Sequence, residues 1–213
     1  MARDHVIAAG DHVVGLAYVH GHATVDAVWQ HPANAELRQA RPDPGVLAVA
    51  DVLHVPDAPV RVFDGLSTRR EHTLVVELPL PTLRVALLRP GGIPYAAHAC
   101  TADFDSGRTR IVADAEGALA IELGPLTSSV ALTFDRHALD LAIGHLQPVE
   151  TTAGWHARLE NLGYQPGPLH GDTPTDPYAV RSAVEEFQCD HGLTVDGEMG
   201  PKTRAALLAA HGA

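Results

Sequence analysis

The apolar residues of this 213-residue chain change their spacing twice. Val13, Leu16 and Ala17 recur at helical intervals, as do Val25, Val28 and Trp29. Further on the interval drops to two: Leu74, Val76 and Leu78, then Leu83, Val85 and Leu87, Leu119, Ile121 and Leu123, Val130, Leu132 and Phe134, and Leu139, Leu141 and Ile143. Trp155, Leu159 and Leu162 return to helical spacing, followed by Val180, Ala183, Val184 and Phe187. A segment with one period cannot present a single apolar face in the other element. The chain is therefore expected to be a multi-domain α+β protein with regions 1–60, 64–147 and 150–213, a division its length permits.

In the first region a short apolar strand, His5-Val6-Ile7-Ala8, leads to a Gly10-Asp11 turn and two helices. Thr24 can cap the second helix and His31-Pro32 stops it. After a polar stretch, Val52, Leu53 and Val55 form a closing strand before Pro56-Asp57. This small βααβ pattern, with "VWQHPANAELRQARPDPGVL" and "DVLHVPD", resembles a LysM module. The resemblance implies binding of N-acetylglucosamine-containing polymers through two loops, Gly10, Asp11, His12 and Val13, and Leu47, Ala48, Val49, Ala50 and Asp51. Where that family usually has Pro-Gly before the closing Asp, this chain has Val49-Ala50.

Regular alternation with turn residues between the runs predicts an antiparallel β-sandwich over 64–147. The stretch "RPGGIPYAAHACTADFDSGRTRIVADAEGALAIEL" resembles a prealbumin-type or carboxypeptidase-regulatory-type sandwich, in which a turn such as Asp114 to Gly117 precedes a strand. That resemblance implies a spacer or interaction module.

Three short helices and two glycine turns make up the last region. "ARLENLGYQPGPLHG", "AVEEFQCDHGLTVDGEMGPKT" and "RAALLAAHG" resemble the peptidoglycan-binding domain type 1. The resemblance implies docking on a cell-wall polymer through the turns His170-Gly171-Asp172 and Asp196-Gly197-Glu198. The second turn has the family's Asp-Gly pair, whereas the first departs from it.

Charge narrows the partners. With 15 Lys and Arg against 26 Asp and Glu, the formal charge is −11, which repels nucleic acid and anionic membranes. Fourteen histidines, if all protonated, would carry it to about +3. Cys100 and Cys189 give no disulfide framework and are expected to be small buried or neutral thiols. No secretion signal or membrane span is legible, so cytoplasmic synthesis without a signal peptide is expected.

No catalytic constellation emerges, and no cofactor or metal is expected. His20, His22 and Asp26 do not follow a metal-ligand spacing, and Gly91-Gly92 lacks the context of a phosphate loop. His98 and Cys100 fall on one face of a strand, where a sandwich usually hides its cysteine in the core. The acids show no glycosidase pairing.

The order of the three regions also resembles bacterial proteins linked to contractile injection machinery, such as type VI secretion systems and phage-like tails. Two readings stay open. One is a non-catalytic peptidoglycan-binding adaptor delivered to the periplasm or envelope. The other is a structural or cargo-handling part of the apparatus, its modules holding spike or tube proteins instead of glycan.

Overall fold

A computed structural model of the chain describes residues 2–60, 62–75, 80–89, 91–105 and 107–212. It is a mixed α/β structure with six α-helices and several antiparallel sheets among those residues. Two compact units compose it: Met1–Gln39 with Val52–His145, and Ala40–Asp51 with Leu146–Ala213. The three regions expected from periodicity thus fall into two units, and twelve residues of the first region fold with the last.

The first unit begins with β1 (Arg3–Val6), antiparallel to β2 (Val52–Val55) in a register running from Arg3 opposite Val55 to Val6 opposite Val52. The opening strand lies two residues nearer the N-terminus than its apolar content suggested. The backbone N–H of Ala8 donates to the Asp11 carboxylate at 2.8 Å, and the Asp11 N–H returns to the Ala8 carbonyl at 3.1 Å. That turn takes Ala8 out of the strand.

Helix α1 (Val13–Val19) is capped by the His12 ring, which accepts the Gly15 N–H at 3.1 Å. Thr24 accepts the Ala27 N–H at 3.4 Å ahead of α2 (Asp26–Trp29). His31-Pro32 ends that helix, but a 3-10 turn over Pro32–Asn34 follows and runs into α3 (Ala35–Ala40). The sequence offered only a polar stretch there. Helix α3 buries none of its residues, so it has no apolar stripe to betray it. Asn34 ties this segment to the strand pair: its amide donates to the carbonyls of Val28 and His54, each at 2.8 Å, and accepts the His54 N–H at 2.8 Å.

From Thr82 onward the described residues of the unit are mainly β-structure. Strands β3 (Thr82–Ala86) and β8 (Ala118–Glu122) form one pair, and β4 (Leu88–Arg89) and β5 (Ile93–Pro94) another. Strands β6 (Ala99–Phe104), β7 (Gly107–Val112), β9 (Ser129–Phe134) and β10 (His137–Ala142) make a four-stranded antiparallel sheet ordered β10-β9-β6-β7. Val130, Leu132 and Phe134 from that sheet share one core with Leu119 and Ile121 of β8 and with Leu87, Cys100 and Ala102. Alternation of the kind read in the sequence fills this core, because every second residue of β8 and β9 points into it. Val76 and Leu78 lie outside the described residues, and Leu74 is exposed and in no strand.

One turn of this core is sterically fixed. Asp114 accepts the N–H groups of Glu116 at 3.0 Å and Ala118 at 2.7 Å, and Gly117 has a φ of +77°. A Cβ on Gly117 would stand 2.6 Å from the Leu87 carbonyl oxygen, so a side chain is excluded twice over.

The second unit contains α4 (Thr152–Asn161), α5 (Pro177–Asp190) and α6 (Pro201–His211), with a small hairpin of β11 (Leu169–His170) and β12 (Thr173–Pro174). Thr151 caps α4 and Asp176 caps α5; α5 and α6 each begin with a proline, whose missing N–H costs nothing there. Val149, Trp155, Leu159, Ala183, Val184, Phe187 and Leu207 form the core, which is the stripe the helical spacing marked. No helix among the described residues is long and apolar enough to cross a membrane.

Candidate functional site

The turn between α5 and α6 is organised by a residue that the sequence reading passed over. Gln188 is 1% exposed and spends both ends of its amide on the turn. Its Oε1 accepts the N–H groups of Asp196 and Gly197, both at 3.0 Å. Its Nε2 donates to the Asp196 carboxylate at 2.8 Å, the Glu198 carbonyl at 3.0 Å and the Thr203 hydroxyl at 3.1 Å. The Asp196 carboxylate also accepts the Glu198 N–H at 2.9 Å. That N–H first, and the Gln188 amide second, hold the Asp196 carboxyl below its ordinary pKa.

Gly197 gives the turn its shape, with a φ of +72°. A Cβ there would meet Arg181 Cγ at 2.7 Å, and Arg181 is itself paired with Glu185 at 2.8 Å. Asp196, Gly197 and Glu198 therefore form a preset loop whose backbone cannot easily relax. Such a loop loses little conformational entropy when a ligand docks.

The first turn is built differently. Gly171 sits at the tip of the β11–β12 hairpin with a φ of +61°, and His170 pairs with Thr173. Asp172 does not close its own turn but accepts the Ala153 N–H at 2.7 Å, satisfying a free donor at the start of α4. The two turns share an Asp and a Gly but not a geometry.

Helix α4 is seated by Gly154, another position that periodicity does not reveal. A Cβ on Gly154 would fall onto the Pro148 carbonyl. One turn on, the buried Arg158 donates to the carbonyls of Gln147 and Gly154, each at 2.7 Å. Burial lowers its pKa, opposed by the charges of Glu150 and Asp43.

The loops named by the resemblance of the first region fall into different units. In Gly10–Val13, Val13 is 1% exposed and the Asp11 carboxylate is taken by the His5 ring and the Ala8 N–H, both at 2.8 Å. Burial would raise the Asp11 pKa, but those two hydrogen bonds outweigh it and hold the carboxyl below its usual value. His12 is pushed the other way by burial, against the pull of Asp11, so its ring stays neutral more readily. In Leu47–Asp51, Leu47 and Ala48 are covered to different degrees while Val49 and Ala50 are exposed. Asp51 accepts the Ala48 N–H at 2.8 Å and Arg41 Nε at 3.0 Å. Ala50 has a φ of +73°, a left-handed conformation that favours glycine.

None of the weighed catalytic groups is assembled. His20 faces Arg3 at 2.6 Å, whereas His22 is buried against the Pro56 carbonyl at 3.0 Å. Among the described residues, no group of three or more His, Cys, Asp or Glu side chains comes together in a way that could hold a metal ion. The His98 ring pairs with Asp135 at 2.9 Å, while the Cys100 thiol lies in the core, donates to the His98 carbonyl at 3.8 Å and is pushed upward in pKa by burial and by Asp135. A raised thiol pKa is the reverse of what a nucleophile needs. Cys189 is a free, exposed thiol.

Residues 156–207 match the family model of a peptidoglycan binding domain, type 1. The match begins inside α4, includes the β11–β12 hairpin and the Gln188-centred turn, and ends inside α6. No curated protein and no solved structure matches the chain.

Proposed function

We propose that the chain is a non-catalytic cell-wall adaptor that holds peptidoglycan through its helical unit. The observation that carries this reading is the coincidence of the family match over 156–207 with the preset Asp196-Gly197-Glu198 turn. A loop whose polar backbone groups are fixed by one buried amide is suited to an immobile, repetitive polymer, because recognition needs no rearrangement. The exposed Asp196 and Glu198 residues of that loop offer carboxylate oxygens to the hydroxyl and amide donors of the polymer.

The non-catalytic reading is supported by the core position and raised pKa of the Cys100 thiol and by the separate partners of His20 and His22, which are Arg3 and the Pro56 carbonyl. The injection-machinery setting rests on the order of the regions alone, and the place of action would be the cell envelope, where the polymer is. Incubating the full chain with purified sacculi tests both halves of the reading. Retention in the pellet without release of soluble muropeptides is the expected outcome. Failure to be retained would remove the wall-binding role, and muropeptide release lost on a single substitution would remove the non-catalytic one.

A further inference from the structure

Tyr178 stands 86% exposed in the first turn of α5, although that turn is firmly built. The Asp176 carboxylate accepts the Tyr178 N–H at 3.0 Å and the Ala179 N–H at 3.1 Å, and Pro177 fixes the backbone just ahead of the ring. An aromatic ring left in water on a fixed support offers a large contact area and loses little conformational freedom when something covers it.

Helical spacing puts Tyr178 on one face with Arg181, Ser182 and Glu185, a strip about 10 Å long. Tyr178, Arg181 and Ser182 are exposed and Glu185 is partly so. The strip runs into the preset turn between α5 and α6. Arg181 Nε donates to Glu185 at 2.8 Å and Arg181 Nη2 to the Asp196 carbonyl at 3.4 Å, while its stem lies across Gly197, where any Cβ would meet it. Those contacts engage two of the five guanidinium donors, and the side chain remains 62% exposed. A fixed ring, a positioned cation and a rigid polar loop are therefore contiguous on the surface of the helical unit.

Charge selects among the parts of peptidoglycan. Arg181 feels three carboxylates, those of Glu185, Glu198 and Asp196, so this surface carries an excess of negative charge. It repels the free carboxylates of the short peptides that branch from the polymer. The amino-sugar chain is uncharged, and its hydroxyl and acetamido N–H groups are donors suited to Glu198 and Asp196. Tyr178 adds a flat apolar face, complementary to the C–H side of a pyranose ring.

We propose that Tyr178 and Arg181, with the turn at Glu198, form a sugar subsite in which a pyranose ring of the amino-sugar chain stacks on Tyr178 while Arg181 and Glu198 take its acetamido and hydroxyl groups. This rests on the wall-binding reading of the helical unit and narrows its ligand to the glycan strand, as opposed to the branching peptide.

Heteronuclear NMR on the full chain tests it with two soluble probes, an oligomer of N-acetylglucosamine and a free branching peptide. The oligomer is expected to shift the amides of Tyr178, Arg181, Gly197 and Glu198, and the peptide to leave them in place. Tyr178→Ala should weaken oligomer binding by at least about tenfold, whereas Tyr178→Phe keeps the ring face and should retain it. Both variants should melt with the unaltered chain, because the ring is outside the core. Equal oligomer affinity in Tyr178→Ala would overturn the proposal, as would a shift of those amides by the peptide. Retention of the unaltered chain on sacculi separates the two readings. Retention without oligomer shifts at these residues removes the sugar subsite and leaves wall binding standing, and absence of retention removes both.

Discussion

Gln188 and Asp196 hold each other from both sides: the glutamine Nε2 donates to the aspartate carboxylate at 2.8 Å while its Oε1 accepts the aspartate's own N–H at 3.0 Å. One buried side chain thereby takes up two successive backbone N–H groups of the turn. Gln188→Ala would strand the N–H groups of Asp196 and Gly197 and should cost about 2–4 kcal/mol, read as urea unfolding of the helical unit. Retention on sacculi should fall with it under conditions where the variant is still folded.

Gln188→Glu keeps the shape and reverses the chemistry. The new carboxylate would face the Asp196 carboxylate and the Glu198 carbonyl, so its protonated form is favoured in the folded chain and its folded pKa is raised above about 4.3. A raised folded pKa gives stability that is present below the unfolded pKa and lost as pH rises through the folded one. Chemical denaturation of the variant should therefore show it gaining stability as pH falls from neutral toward about 5.

In the unaltered chain Asp196 acts with the opposite sign. Its folded pKa is depressed by the Glu198 N–H and then by Gln188, so its contribution is present above the ordinary carboxyl pKa and lost as pH falls through the folded value. Acid titration of the helical unit should show a loss beginning below about pH 4 that Asp196→Asn removes. An equal acid loss in that variant would assign it to other carboxylates.

Ala50 is strained where a glycine would not be. With φ at +73° in an exposed turn, Ala50→Gly should stabilise the chain by about 0.5–1 kcal/mol after the glycine's larger unfolded-state entropy is counted. Thermal unfolding measures it, and a lower midpoint would show that the turn tolerates alanine.

Gly154 and Gly117 should tolerate nothing larger. Gly154→Ala would press on the Pro148 carbonyl and Gly117→Ala on that of Leu87, each costing more than about 2 kcal/mol. The first should loosen α4–α6 and the second the β-sheet core, so exchange protection separates the two effects by location.

Charge should govern how fast the chain meets the wall. At −11, with fourteen histidines to protonate, repulsion from wall carboxylates and phosphates weakens in mild acid. Retention on sacculi at low salt should be higher near about pH 5.5 than near about pH 8, and the gap should shrink at about 0.3 M salt. Equal retention in all four conditions would leave neutral sugar contacts as the governing interaction.

Periodicity was enough to place α4 and α5, because Trp155, Leu159, Val184 and Phe187 each point into one core. It failed where structure rests on something other than apolar burial. Helix α3 buries no residue, and β7 is almost wholly exposed at the sheet edge, so neither shows a pattern. Gln188 reads as one more polar helix residue until its position beneath the turn is known. Gly154 looks like a weak helix former rather than the only residue that fits against Pro148. The Asp-Gly pair at 196–197 was legible as a motif, but the amide that holds it was not.

The second unit is assembled from the stretch Ala40–Asp51 and from everything after Leu146. On a ribosome its first piece emerges well before the second and must wait for it. Loop closure over so long a stretch is slow relative to local helix formation. Leu47, buried in the folded protein, thus belongs to a unit that cannot form until the stretch from Leu146 has been made. A graft that cuts at Leu146 would carry off the family-matched helices and leave a piece of their unit behind. Recombination can move this module intact only by moving two separate stretches of the gene together.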